Sequence, residues 1–367
     1  MDKLRVVLVA LYRYQNFPIR IMHALLESIE NIEVYSIFFK NCMTNMCDAP
    51  TEREKKIFGD IVAKLNPRIV GLSVLSPFAF IAEQLTGIVK KNAPSSLAIW
   101  GGIHPTISPE SCINKVDMLC IGEGEETIVE LIQYLRDGKN HHSIRNLWIN
   151  DGGQITKNPM RPLVQDLDSL PIPSYGNESY YFIDNDQITR NDPVLNYNFL
   201  SVHASRGCPF TCSYCVNSLL HPFFKELGPY IRMRSVSNVI KEIKQFRKVD
   251  EIYFIDEVFT TNKTWIEEFT ARYKNEIGVP FTIWLNPLMI SSILINKLAN
   301  AGLSTIRFGI QTGSDKMRNE LFNRPGNNEQ IKDIAKKITE HKVTITYDLI
   351  MDNPYETEKS LEEAIEL

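Results

Sequence analysis

From residue 4 onward, short and almost wholly apolar runs alternate with segments whose apolar residues recur every three or four positions. Residues 5–10, 33–39, 68–75, 97–100 and 118–121 read as buried strands. Residues 18–30, 78–91 and 125–136 carry helical periodicity, the last stopped by Gly138. Thr51 and Glu54 make a capping box that opens another helix, in which Ile57, Ile61 and Leu65 recur every four residues. Continuous apolar strands between helices predict a parallel sheet covered on both faces, a doubly wound, Rossmann-like fold. Ligands of such sheets sit beyond the carboxyl ends of the strands.

Residues 141–198 change character: Asp151, Gly152 and Gly153 are followed by Pro159, Pro162, Pro171 and Pro173. This punctuation reads as a connection holding one hairpin, residues 147–150 with 154–156. Tyr180, Tyr181 and Phe182 within it fit either packing or a substrate wall, and His141 and His142 read as solvated. The βα alternation then resumes. Strands are expected at 199–204, 251–255, 281–285, 305–310 and 343–350, and helices at 235–246, 264–275, 291–301 and 331–341. A repeat of this kind predicts a (β/α) barrel with its chemistry at the strand tips. Only five strands can be counted before the amphipathic residues 358–367. The organisation expected is therefore a first domain at 1–140, a linker at 141–198 and a partial barrel at 199–367, truncated before its sixth strand.

Composition narrows this picture only a little. A chain of 367 residues, 44% hydrophobic and 23% charged, has the make-up of an ordinary globular protein with room for two domains. A formal net charge of −4 and the lack of a basic–aromatic stripe argue against nucleic acid as a partner. No apolar run reaches transmembrane length, and residues 1–10 read as the first buried strand rather than a signal segment. Seven cysteines, an odd number with three in one motif, point to a reducing compartment, the cytoplasm.

The chemistry is concentrated in residues 205–216, SRGCPFTCSYCV. Cys208, Cys212 and Cys215 are spaced so that one loop can present three thiolates to an iron–sulfur cluster. Three ligands on four irons leave one iron open to a chelating small molecule. Gly207 and Pro209 shape the loop, and Arg206 adds positive charge beside an anionic cluster. Zinc would need a fourth ligand, and His203 and His221 are poorly spaced for it. Cys42, Cys47, Cys112 and Cys120 show no metal-like spacing and read as buried small hydrophobes.

This stretch resembles the signature of the radical S-adenosylmethionine (SAM) enzymes, in which an aromatic residue, here Tyr214, precedes the last cysteine. The resemblance implies a 4Fe–4S cluster whose open iron is chelated by SAM. It extends to the other strand tips. Asp256 and Glu257 stand where family carboxylates meet the SAM amino group. Residues 309–315, GIQTGSD, followed by Asn323, Arg324 and Pro325, match the fourth-strand segment. There Gln311 would contact the ribose and Arg324 the SAM carboxylate. Residues 352–357 resemble the usual approach to a sixth strand.

The first half resembles the cobalamin-binding domain that precedes many radical SAM domains. Ser73 and Leu75, Gly101 and Gly102, His104, and Gly122 and Glu123 lie in the loops that line the cleft for the nucleotide tail. The family's DxHxxG motif, which supplies a histidine to cobalt, is absent: residues 12–18 read YRYQNFP. His23 follows on a helix and reads as packing or surface. Cobalamin, if bound, is then expected without a histidine from this motif and with its dimethylbenzimidazole base displaced, as the resemblance to the radical SAM branch of the family implies. The pairing implies an enzyme that cleaves SAM reductively to a 5′-deoxyadenosyl radical and methylates an unactivated carbon; no general acid or base is required. Oxidative cyclisation or rearrangement is the alternative within the same chemistry, and a cofactor-binding sensor the alternative outside it. A small molecule, lipid, tetrapyrrole or peptide fits as substrate, with flavodoxin or ferredoxin as electron donor.

Overall fold

Valine-rich β1 (Leu4–Leu11) lies at the centre of a parallel sheet, and alternate residues serve two different cores. Val7 and Val9 pack with Phe58, Val62 and Leu65 of α2 (Glu52–Leu65) and with Leu85 and Val89 of α3 (Ala79–Asn92). Val6, Leu8 and Ala10 pack with Ile19 and Leu26 of α1 (Phe17–Glu27) and with Leu131 and Ile132 of α6 (Glu125–Arg136). Helices on both faces are what continuous apolar strands require. The computed structural model in which this is seen describes residues 3–42, 47–176, 178–246, 248–260, 262–351 and 353–367. It divides into two compact units, Met1–Val164 with Ser169–Asn196, and Gln165–Asp168 with Tyr197–Leu367.

In the first unit β2 (Ile32–Phe39), β3 (Ile69–Ser73), β4 (Leu97–Gly101) and β5 (Met118–Cys120) join β1 in the parallel order β5-β4-β3-β1-β2. The order reverses between β1 and β3, the switch point at which ligands of doubly wound sheets bind. Short α4 (Ile103–Ile107) and α5 (Pro109–Cys112) follow β4. The Thr51–Glu54 capping box forms as expected, and the Glu54 carboxylate also accepts from Lys40 Nζ at 2.8 and 3.0 Å.

The segment read as a connection adds four strands to this sheet. β6 (Leu147–Asp151) pairs antiparallel with β5, and β7 (Gln154–Lys157) completes the expected hairpin. β8 (Tyr180–Asp184) runs parallel to β2, with β9 (Gln187–Thr189) antiparallel beside it. Tyr180 is therefore a core residue. A buried arginine ties this edge down: Arg20 forms a bidentate pair with Asp192 at 2.5 and 2.7 Å, donates to the carbonyls of Tyr14 and Ser174, and stacks over Phe38 and Tyr175.

In the second unit β10 (Phe199–Val202) leads into a two-stranded ribbon of β11 (Ser205–Arg206) and β12 (Arg232–Met233), with α7 (Asn217–Phe224) between them. Then follow α8 (Val236–Ile243), β13 (Glu251–Phe254), α9 (Lys263–Glu276), β14 (Phe281–Leu285), α10 (Ser292–Ala301), β15 (Leu303–Gln311), α11 (Asn328–Thr339), β16 (Thr344–Leu349) and α12 (Glu358–Ile365). The sheet is wholly parallel, ordered β10-β13-β14-β15-β16. Its helix-facing core is aromatic: Phe254, Phe259, Phe269, Tyr273 and Phe281 meet edge-on or tilted at 4.9–6.3 Å. Gly302 closes α10 in the left-handed conformation, as its position predicts. Among the described residues β16 is an edge strand of this sheet, and Asp352, the first residue of the segment likened to a sixth-strand approach, lies outside them.

Candidate functional site

β10 and β11 deliver the chain into the three-cysteine loop, and a buried carboxylate fixes the junction. Asp256, just past β13, accepts from Ser205 N–H and Oγ at 2.5 Å each and from Ala204 N–H at 3.2 Å. Burial pushes its pKa up to about 7. Glu257 points elsewhere. The residue is exposed, with the carboxyl near the N–H groups of Gly207 and its own residue and in the field of Arg206 and Arg232. Loss of hydration there outweighs these partners and raises its pKa. The two acids expected to act together are thus separated: Asp256 holds the loop's base, and Glu257 faces the loop.

Cys208 and Cys212 are buried and Cys215 is half-buried, with Cys215 N–H donating to Cys212 O at 2.9 Å. Burial pushes the Cys208 thiol up to about 11, with Cys215 and Glu257 adding to it. Among the described residues no three His, Cys, Asp or Glu side chains converge on one ion. Three thiols in one loop suit three irons of a cubane. His221, weighed above as a zinc ligand, has its Nε2 2.6 Å from Cys208 O.

The turn after β15 clasps this loop. Ser213 N–H donates to Phe322 O at 3.0 Å and Ser213 Oγ to Leu321 O at 2.5 Å. Asn323 Nδ2 donates to Thr211 O at 3.1 Å, and Tyr214 meets Phe322 edge-on at 5.1 Å. Arg324 Nη1 reaches Cys212 Sγ at 3.5 Å. Gln311 sits at a bulge with φ +69°, a conformation few residues other than glycine adopt. A Cβ on Gly309 would lie 2.3 Å from Gln311 Nε2 and 3.3 Å from Arg324 Nη2, so this glycine makes room for both side chains. Gln311, Arg324, Tyr214 and the cysteines are thereby brought together.

Two further groups were not singled out from sequence. Arg318 is buried and organises the turn, donating to Ile310 O, Thr312 O, Asp315 and Asn328. Its only local signal was the acid three residues before it. Asn217, the first residue of α7, donates from Nδ2 to Cys215 Sγ at 3.6 Å.

In the first unit the singled-out loops meet at the carboxyl ends of β3, β4 and β5. Val74 N–H donates to Gly101 O at 2.8 Å, and His104 N–H to Val74 O at 3.1 Å. His104 Nδ1 lies 3.1 Å from Ser76 Oγ, and burial lowers its pKa. Gly122 N–H donates to Thr106 Oγ1 at 2.9 Å. Ser73 Oγ accepts from Asn16 Nδ2 at 3.1 Å, while Asn16 Oδ1 caps α1 through Ile19 N–H. Gly102 adopts φ +98° and ψ −165°, a region open essentially to glycine. A Cβ there would stand 3.1 Å from Val74 O and 3.2 Å from Val74 N. Such a cradle, which a side chain would fill, fits close approach of a bulky ligand; Leu75 lies half-buried at its side. Glu123 is the exception, since its carboxylate accepts Val164 N–H at 2.8 Å.

The loop after β1 carries packing instead of a metal ligand. Tyr12 stacks on Phe78 at 4.4 Å and donates to Asp48 O at 2.6 Å. His23 is a core residue: its ring nitrogens lie 2.8 Å from Ser36 Oγ and 3.3 Å from Ser179 Oγ, and it stacks on Tyr180. Burial, with Arg20 beside it, lowers its pKa to about 4. The reading of four inert buried cysteines needs correction. Cys112 and Cys120 are buried thiols, but Cys42 and Cys47 form a disulfide, their Cα atoms 4.8 Å apart just beyond β2.

Residues 202–367 match the model of the radical SAM superfamily, and residues 5–132 that of the B12 binding domain. The chain thus carries a B12-binding domain ahead of a radical SAM domain. The cofactors of this class are a 4Fe–4S cluster with SAM for one domain and cobalamin for the other. The chain is 28% identical over 312 residues to an uncharacterized methyltransferase of Pyrococcus horikoshii, covering 83% of this chain and 64% of that protein. It is 24% identical over 347 residues to the anaerobic magnesium-protoporphyrin IX monomethyl ester cyclase of Rubrivivax gelatinosus, covering 90% and 58%. It therefore spans less than two thirds of either relative. Among solved structures, the radical S-adenosylmethionine methyltransferase TsrM from Kitasatospora setae, with cobalamin and a 4Fe–4S cluster bound, shares the fold with a TM-score of 0.76. That match has 16% identity and covers 99% of this chain and 72% of TsrM. Among the described residues no helix is long and apolar enough to cross a membrane.

Proposed function

We propose that the protein is a cobalamin-dependent radical SAM enzyme that methylates an unactivated carbon. The observation that carries this reading is the guanidinium of Arg324, 3.5 Å from the sulfur of Cys212 although 112 residues away in the chain. A fixed, bidentate cation beside a cluster thiol suits a ligand that presents a carboxylate there. When bound, the cluster supplies the electron that cleaves SAM, and cobalamin carries the methyl group.

In this reading Arg324 pairs with the SAM carboxylate, Glu257 accepts from its amino group, and Gln311 meets the ribose. Asp256 serves the same site indirectly, by fixing residues 204 and 205. Tyr214, packed on Phe322, covers the cluster loop. Ser73, Leu75, Gly101, Gly102, His104 and Gly122 would hold the cobalamin tail, and residues 12–18 would offer cobalt no histidine. The electron comes from a flavodoxin- or ferredoxin-like carrier in the cytoplasm, where the free thiols stay reduced. The similarity to the Rubrivivax gelatinosus cyclase supports a second reading, oxidative ring closure without methyl transfer.

The test is anaerobic protein loaded with iron, sulfide and cobalamin, then given SAM and a low-potential reductant. Formation of both 5′-deoxyadenosine and S-adenosylhomocysteine, with a base-off Co(II) spectrum lacking nitrogen splitting, is the expected result. 5′-Deoxyadenosine without S-adenosylhomocysteine would favour the cyclase reading. Neither product from protein holding both cofactors would overturn catalysis and leave a cofactor-binding sensor.

A further inference from the structure

We propose that Asn217 is a positioning residue that donates an amide hydrogen bond to the Cys215 thiolate and so raises the reduction potential of the cluster, with Tyr230 fixing the amide's orientation. The inference rests on the cluster reading above. Asn217 is buried, 6% exposed, and its Nδ2 lies 3.6 Å from Cys215 Sγ. On its other side Tyr230 O–H donates to Asn217 Oδ1 at 2.5 Å. A primary amide has an acceptor end and a donor end, and a thiolate can only accept. A phenol donating to the oxygen therefore turns the N–H group toward sulfur and holds it there.

Tyr230 is itself held. Its ring lies 4.6 Å from that of His221 and 6.0 Å from that of Phe224. Its carbonyl crosses Gly207 so closely that a Cβ there would stand 2.4 Å from the oxygen. His221 closes the circuit through its contact with Cys208 O. Asn217 and His221 of α7 thus reach the last and first cysteines of the loop, with the Tyr230 ring packed between them. Reduction adds one electron to the cluster and makes it more negative. A donor aimed at a ligand sulfur stabilises that state over the oxidised one, and such bonds help set iron–sulfur potentials.

The test is a dye-mediated potentiometric titration of the reconstituted cluster, followed by electron paramagnetic resonance, with dithionite or titanium(III) citrate as reductant. SAM and cobalamin are left out, so the readout is independent of turnover. Asn217→Leu at full iron content is expected to lower the midpoint by an amount equal to a roughly tenfold loss of reduced cluster at fixed potential, about 59 mV for one electron. Tyr230→Phe is expected to shift it the same way by less, because the amide stays but its lock is gone. A wild-type midpoint in Asn217→Leu carrying four irons would overturn the inference while leaving the proposed function intact. If Asn217→Leu does not hold iron, Tyr230→Phe decides: a lowered midpoint supports the proposal and an unchanged one overturns it. Failure of the unaltered protein to assemble a four-iron cluster would overturn the proposed function and this inference together.

Discussion

In the second unit the atoms turned toward the candidate site are side-chain heteroatoms: three thiols, a guanidinium, an amide and a carboxylate. In the first unit the corresponding strand tips present mostly backbone, including Gly102, whose φ of +98° and contact with Val74 leave no place for a side chain. The first kind of site is defined by groups that must be present, the second by groups that must be absent. They should therefore fail in opposite ways, one when atoms are removed and the other when atoms are added.

The largest effect is expected from Cys212→Ala. Reconstituted protein should lose the cluster's iron and visible absorbance and form no 5′-deoxyadenosine, while retaining cobalamin through desalting. Loss of both cofactors would break the contrast by showing that the sites are not separately built. Gly102→Val is the complementary change. A branched side chain at φ +98° against Val74 should lower stability by about 1–3 kcal/mol. Iron content should be unchanged and cobalamin retention should fall, as read by the cobalt spectrum after desalting.

A subtler difference concerns the buried aspartate in each unit. Asp192 faces the guanidinium of Arg20, whereas Asp256 is met by the hydroxyl and backbone of Ser205 and by Ala204 N–H. With its pKa raised to about 7, Asp256 retains a proton in the folded state at pH values where the unfolded chain has lost it. Its contribution to stability is thus full below the ordinary carboxylate range and is lost as pH rises through about 7. The melting temperature of the metal-free protein should therefore fall between pH 5.5 and 8 more steeply than that of Asp256→Asn. Parallel pH profiles for the two proteins would show that the carboxyl titrates normally.

What was legible in the sequence is what depends on near neighbours in the chain. The three cysteines, the Thr51–Glu54 capping box, the left-handed stop at Gly302 and the apolar strands each follow from spacing or periodicity. The helix α7 did not, because it begins directly after the cysteine motif without a side-chain cap and contains Pro222. The hairpin of β6 and β7 was legible from the Asp-Gly-Gly between its strands, whereas β8 and β9 were hidden by the prolines before them. The disulfide escaped because the spacing of Cys42 and Cys47 was weighed only against metal ligation. The different duties of Asp256 and Glu257 could not be read at all: adjacent acids look alike until a strand end turns one inward.

The clasp between the turn after β15 and the cysteine loop joins residues more than a hundred positions apart, as in the pairs Ser213–Leu321 and Asn323–Thr211. Loops that far separated meet only after the chain between them has been made and ordered. A ribosome that has released Cys215 has therefore produced the ligands but not the framework that holds them. The complete receptacle for iron exists only once Arg324 has emerged and β15 has taken its place beside β14. With these cysteines as the ligands of the proposed function, cluster insertion would be a late event in this protein's biogenesis, and delivery of iron to the nascent chain would meet thiols that nothing yet holds in place.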